Sequence, residues 1–153
     1  MAVDGRSVLL CRVGSLVCAF PLEHVVETMR AQPLEAFAGM PAFVSGVSII
    51  RGGPVPVVDL ATLLGEEHAA TRDKLVTIRV DDRHVALAVE SVLAIRTLPS
   101  QSIAGLPPLL GRATSEVVSA VSTLDSQLLV IIETGRVVPS SAWDALGAHG
   151  AQA

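Results

Sequence analysis

Apolar residues in this chain come in short runs separated by turn residues. Val8, Leu9 and Leu10 open one such run, which breaks at Gly14-Ser15 and resumes through Leu16, Val17, Cys18, Ala19 and Phe20. Runs of this length, rich in Val, Ile and Leu and bounded by Gly, Ser, Asp or Pro, read as strands; helices need longer stretches with a wider period. The pattern predicts four hairpins: 8–13 with 16–22, 44–50 with 54–59, 75–80 with 84–89, and 117–123 with 127–133. Gly14-Ser15 suits a two-residue turn of the II′ type, which takes glycine first. Counting outward from that turn sets Cys11 opposite Cys18 on a hydrogen-bonded rung.

The chain also contains one unit twice. Arg12 matches Arg79, Val13 matches Val80, Ala19 matches Ala86, Glu23 matches Glu90 and Val25 matches Val92, all 67 positions apart (79 − 12). A second match lies 74 positions apart (121 − 47): Val47-Ser48 with Val121-Ser122, and Val57-Val58-Asp59 with Ile131-Ile132-Glu133. Each half reads as a hairpin, a short crossing segment and a second hairpin. Closing five short strands on themselves removes exposed sheet edges. The expectation is a mainly all-β fold of two small five-stranded barrels, 7–66 and 67–138, with short helical segments and an apolar contact between the barrels. Polar connections are expected over Leu64–Asp73 and Leu98–Gly111. In the last segment, 139–153, Ser140 or Ser141 can cap a short helix carrying Trp143 and Leu146, followed by a frayed tail.

Composition narrows the function. Half of the 153 residues are hydrophobic and 17% are charged, which fits a packed core and argues against disorder. A net charge of −4 disfavours a phosphate-tracking surface, and scarce aromatics (Phe20, Phe37, Phe43, Trp143) disfavour base stacking. Nucleic acid is therefore not expected as a partner. No apolar run approaches the roughly 20 residues of a membrane span, and Met1–Ser7 lacks the basic start of a signal peptide. The reading is a cytoplasmic protein without membrane insertion. In a reducing compartment Cys11 and Cys18 behave as small buried apolar residues, and a zinc site would need two more ligands. His24, His68, His84 and His149 form no triad order and no metal spacing, and Glu66-Glu67-His68 reads as a solvated loop. No catalytic residue, cofactor or metal is expected. A small barrel enzyme or ligand carrier would rest only on His84 and the two thiols, and would need a deep pocket with convergent polar groups.

The most informative segment is 41–65, P-A-F-V-S-G-V-S-I-I-R-G-G-P-V-P-V-V-D-L-A-T-L-L-G. Gly52-Gly53 suits a tight turn with Arg51 projecting beside it. Pro54 and Pro56 lack donors, which predicts an edge strand or a bulge. Asp59 is placed to cap the Leu60–Leu64 turn through backbone N–H groups. This segment resembles the CheW-like domain of bacterial chemotaxis adaptors, whose signature is P-x-x-V-x-G-V-x-N-L-R-G-x-x-x-P-V-x-D-L. Pro41, Val44, Gly46, Val47, Arg51, Gly52, Pro56, Val57, Asp59 and Leu60 match it. In the opening hairpin Val13-Gly14, Ala19-Phe20-Pro21-Leu22, Val25 and Glu27 also fit that family's pattern. Ile49 stands where the family has Asn, Cys11 and Cys18 where it has aromatics, and Ala120 where a glycine is expected.

The resemblance implies two SH3-like barrels and a non-enzymatic adaptor role. Such adaptors link methyl-accepting chemoreceptors, through their signalling tips, to the regulatory domain of a CheA-type histidine kinase. It implies partner contacts at Val25, Glu27, Arg51 and Gly52, and receptor-facing positions at Val92 and Ile95. Gly46, Pro56 and Asp59 are implied as structural parts of the motif. On residue type alone Val25, Val92 and Ile95 also read as core, and Glu27 as a solvated charge. Ile49 and the missing aromatics leave open the same adaptor class in a pathway other than swimming.

Overall fold

The structure is a computed structural model and describes residues 5–66, 71–99, 103–104, 118–124, 127–132 and 137–138. The first half contains β1 (Gly5–Val13), β2 (Leu16–Pro21), a 3-10 turn at Leu22–His24, β3 (Val25–Arg30), β4 (Val44–Ile50), β5 (Gly53–Asp59) and the one-turn helix α1 (Leu60–Leu64). The second contains β6 (Lys74–Val80), β7 (Arg83–Val89), β8 (Ser91–Pro99), β9 (Ile103–Ala104), β10 (Val118–Leu124) and β11 (Gln127–Ile132). All four expected hairpins are present. The crossing segments are strands in their own right, β3 and β8. The expected helix after Ser140, most of the 98–111 connection, His68 and His149 lie outside the described residues.

Turn geometry follows local sequence in two hairpins and departs from it in a third. Gly14 takes a φ of +60° while Ser15 stays at negative φ, as a II′ turn requires, and Cys11 pairs with Cys18. Asp81, the match of Gly14, takes a φ of +56°. Between β4 and β5 the turn residues are Arg51 and Gly52, at φ +54° and +80°, and Gly53 already belongs to the strand. The expected Gly52-Gly53 turn is therefore displaced by one residue. Two positive φ values mark a type I′ turn, so Arg51 itself occupies a left-handed position.

Strand order confirms the duplication and corrects the division of the chain. One sheet has the order β8-β1-β2-β11-β10-β9; the other has β3-β6-β7-β5-β4. Relabelling each strand by its counterpart in the other half turns the first five positions of one order into the other. The parallel rung Ala19↔Ile131 corresponds to Ala86↔Val57 by the same offsets. However, the halves exchange their first hairpins. Hairpin β1–β2 sits among second-half strands, and β6–β7 sits among first-half strands. Neither sheet is built from 7–66 or 67–138 alone. The five-stranded sheet is contiguous over β3–β7, and the six-stranded sheet is assembled from both flanks.

That exchange explains the near-continuous apolar runs, because the central strands are buried on both faces. Leu9, Cys11, Val13, Cys18 and Phe20 of one sheet meet Val58, Val76, Ile78, Val85, Leu87 and Val89 of the other in a shared core. The opposite faces make two smaller cores. Val8, Leu10, Val17, Ala19, Leu129 and Ile131 fill one, and Ile50, Val55, Val57, Leu75, Ala86 and Ala88 fill the other. The expected apolar contact between the two units is this shared core.

The prolines of β5 require a further correction. β5 is an interior strand between β7 and β4, not an edge, and the expected alternative, a bulge, is present on β4 between Val44 and Gly46, next to the Pro56 rung. Pro54 and Pro56 pair with Ile49 and Val47, alternate rungs where β5 does not bond to β4, so no bond to β4 is lost. The cost falls on the other side. Pairing with β7 begins only at Val57↔Ala86, whereas in the other sheet it already includes Val17↔Leu129 and Cys18↔Val130. Val130, the counterpart of Pro56, has the N–H that Pro56 lacks.

Candidate functional site

Each half carries a β-bulge at the start of its crossing strand. On β3 the register moves from Val25↔Ile78 to Glu27↔Thr77, leaving Val26 unpaired. On β8 it moves from Cys11↔Val92 to Leu10↔Ala94, leaving Leu93 unpaired. Val26 and Leu93 are 67 positions apart, and so are their partners. A bulge re-aims the extra side chain, and here it turns an apolar one outward in both copies. Val26 is 49% exposed and Leu93 is 44% exposed, while their neighbours Val25 and Val92 are half-buried against the shared core. Ile95, two residues beyond Leu93, is 61% exposed.

The expected positions therefore separate. Val25 and Val92 pack against the shared core, Ile95 faces solvent, and the exposed apolar side chains beside the first two are Val26 and Leu93. The signal that could have found them is the adjacent pair Val25-Val26, matched by Val92-Leu93. Two neighbouring apolar residues on a strand point to opposite faces unless a bulge intervenes.

Beside the first bulge, Glu27 and Arg51 come together. Arg51 donates from Nε to Glu27 Oε2 at 3.0 Å and from Nη2 to Oε1 at 2.7 Å, a bidentate fork. The pair joins β3, at one end of the five-stranded sheet, to the β4–β5 turn at the other end. The hydrogen bonds and charge of Arg51 hold the Glu27 carboxyl below its ordinary range, and Glu27 holds the guanidinium above its own. The Glu27 side chain is 25% exposed, and most of the Arg51 side chain is in solvent. The left-handed turn aims Arg51 back across the sheet, and Thr77 Oγ1 fixes the Glu27 backbone at 3.2 Å.

The fork forms part of the rim of an open groove of about 440 Å³ at this end of the sheet. Val26, Ile50, Pro54, Val55 and Pro56 supply its apolar walls, and Thr77, Asp82, Arg83 and His84 stand on the β6–β7 side. The groove coincides with the stretch of β5 that the prolines keep from pairing with β7. Ile49, 67% exposed, projects near it on β4 opposite Pro54. Neither cysteine lines this groove. Both thiols are fully buried and free, and burial pushes Cys11 up to about 12 and Cys18 higher still.

Gly46 and Asp59 of the motif make contacts within the fold. Gly46 takes a φ of +152°, and a Cβ there would lie 2.4 Å from the carbonyl oxygen of Glu35. Glu35 and Val47 exchange backbone bonds of 2.9 and 2.8 Å, strapping the 31–43 loop over β4. Asp59 precedes α1 as expected, but its carboxylate accepts no backbone cap bond. Its Oδ2 instead takes the Arg72 Nε at 2.7 Å and the Thr62 hydroxyl at 2.8 Å. Among the described residues there is no cluster of metal-ligating side chains, and no helix is long and apolar enough to cross a membrane.

Comparison with known proteins agrees with this architecture. The family described as CheW-like domain matches residues 7–142. The chain is 27% identical over 138 residues to the chemotaxis protein CheW of Rhizobium meliloti (strain 1021), covering 89% of each. It is 38% identical over 103 residues to the protein FrzA of Myxococcus xanthus, covering 65% of this chain and 62% of FrzA. The scaffolding protein TtCheW from Thermoanaerobacter tengcongensis has the same fold, with a TM-score of 0.75 at 18% identity over 84% of this chain and 89% of that one. The fold is thus the expected all-β pair of SH3-like units, and the chain belongs to the CheW-like domain family, adaptors of chemotaxis-type signalling.

Proposed function

We propose that this protein is a cytoplasmic adaptor that couples methyl-accepting chemoreceptors to a CheA-type histidine kinase, binding the kinase's regulatory domain and the receptor's signalling tip without performing a reaction. The observation that carries this reading is the repeated bulge, which exposes Val26 on one sheet and Leu93 on the other. Two equivalent apolar knobs on one rigid body suit a protein that holds two partners at once. Leu93 and Ile95 present the kind of surface that accepts the apolar face of a helix, as a receptor tip would offer. The groove beside Val26 and the Glu27–Arg51 fork offers apolar walls with a charged rim. An assembly engaging both contacts gains from effective concentration.

Titration of the folded protein against the isolated regulatory domain of its cognate kinase tests this directly. Saturable binding that Val26→Asp abolishes and Leu93→Asp leaves intact, with the fold retained, is the expected result. Absence of binding at about 100 µM, weaker than about −5.5 kcal/mol, would overturn it.

Ile49 in place of the family's Asn, with Cys11 and Cys18 in place of its aromatics, favours a second reading, the same adaptor role in a two-component pathway other than swimming chemotaxis. Deletion of the gene distinguishes the two. Loss of swimming chemotaxis supports the first, and normal swimming with another altered behaviour supports the second.

A further inference from the structure

Every sheet contact that holds hairpin β1–β2 in place is a contact between the two halves of the chain. β1 pairs with β8 from Gly5↔Pro99 to Arg12↔Ser91, and β2 pairs with β11 from Val17↔Leu129 to Ala19↔Ile131. The reciprocal contacts, β6 with β3 and β7 with β5, repeat the arrangement in the other sheet. The molecule is thus built like a dimer whose subunits have traded hairpins and been joined end to end. Nothing in these pairings requires that both halves belong to one chain.

We infer that a second copy of this chain is itself a partner: hairpin Gly5–Pro21 of each copy docks between β8 and β11 of the other, giving a two-fold symmetric, hairpin-exchanged dimer. The strand order of both sheets and all three cores are kept in such a dimer. Only the path of the connection between β2 and β3 changes. That connection is the 3-10 turn Leu22–His24, which contains no buried residue, so straightening it uncovers no fully buried side chain at the hinge. The other crossing, from β7 to β8, is the single residue Glu90, whose N–H is fixed to the Arg12 carbonyl at 3.0 Å. The hinge is therefore at Leu22–His24 and not at Glu90. In the closed monomer the hairpin meets its slot at an effective concentration in the millimolar range, which favours the monomer in dilute solution. Exchange requires the hairpin to leave its place between β8 and β11 and the shared core beneath it, so a dimer once formed separates slowly. This inference does not rest on the proposed signalling role.

The test uses the full chain. Protein unfolded in guanidinium is refolded at about 10 µM and at about 1 mM, concentrations bracketing that range, then sized by chromatography with light scattering. Monomer from the dilute sample, and a dimer from the concentrated one that persists for hours after dilution, are expected. In amide spectra the dimer should differ from the monomer at Leu22–His24 and immediate neighbours only. Monomer alone at both concentrations overturns the inference. A dimer whose shifted amides cover a surface patch away from the hinge overturns it as well. Deleting Glu23 and His24 shortens the hinge so that the hairpin no longer folds back, and this variant should be dimeric at about 10 µM. A folded, monomeric deletion variant argues against exchange, and if the deletion prevents folding the refolding of the parent chain decides alone.

Discussion

Gly46→Ala is expected to be the most destabilising single-methyl addition among the described glycines of the first half's turns and strands. The residue lies at a φ of +152°, a conformation side-chained residues adopt at a cost of about 1–3 kcal/mol. The added Cβ would approach the Glu35 carbonyl oxygen to 2.4 Å, and that oxygen is backbone with no rotamer to change. Relief requires the strap to lift, which sacrifices the paired Glu35–Val47 backbone bonds of 2.9 and 2.8 Å. Two such bonds contribute about 0.5–1.5 kcal/mol each, so the combined loss is about 2–6 kcal/mol against a total stability of about 5–15. Gly52→Ala is the internal control. It sits at φ +80° with nothing within 4 Å of the added carbon, so only the backbone penalty of about 1–2 kcal/mol applies. Urea unfolding measures both, and Gly46→Ala should lower the midpoint by about 1–2 M. Hydrogen exchange should also show loss of protection at the Glu35 and Val47 amides. The reasoning fails if Gly46→Ala falls within about 0.5 kcal/mol of the parent, or costs no more than Gly52→Ala.

Three further outcomes are expected. The Glu27 carboxyl is held low in the folded state, so the Glu27–Arg51 pair stabilises the protein above the ordinary glutamate range. That contribution disappears as pH falls through the lowered value, so acid unfolding curves of the parent and Glu27→Gln should converge at low pH and separate near neutrality. Cys11 and Cys18 should resist alkylation at pH 8 in the native protein and react stoichiometrically in denaturant; rapid native labelling would show that the shared core opens readily. Pro56→Val gives β5 the N–H that Val130 has in the other sheet, so the amide at 56 should be protected from exchange, with stability changed by less than about 1 kcal/mol. An unprotected amide there would mean that the proline is not what limits pairing with β7.

Local features of the fold were legible because they depend on neighbours in the chain. Gly14-Ser15 dictates its own turn, and the turn dictates the Cys11↔Cys18 rung. The duplication was visible as constant offsets, and Arg51 and Glu27 stood out as candidate positions through the family motif. Their bidentate contact was not legible, because it joins opposite ends of a sheet whose closure no local pattern encodes. The bulges at Val26 and Leu93 were also hidden. A bulge shifts register by one residue, and its only trace in the sequence is the adjacent apolar pairs Val25-Val26 and Val92-Leu93, which a regular strand also allows.

The sequence alone determined the four hairpins, the register of the first, the repeat and the family. Tertiary structure alone decided which half each hairpin completes. Hairpins β1–β2 and β6–β7 have nearly the same length, the same turn and the same two apolar faces. Hydrophobic pattern therefore fits either hairpin into either sheet. The choice falls to the short connections, Leu22–His24 and Glu90, which send each chain segment directly from the centre of one sheet to the edge of the other.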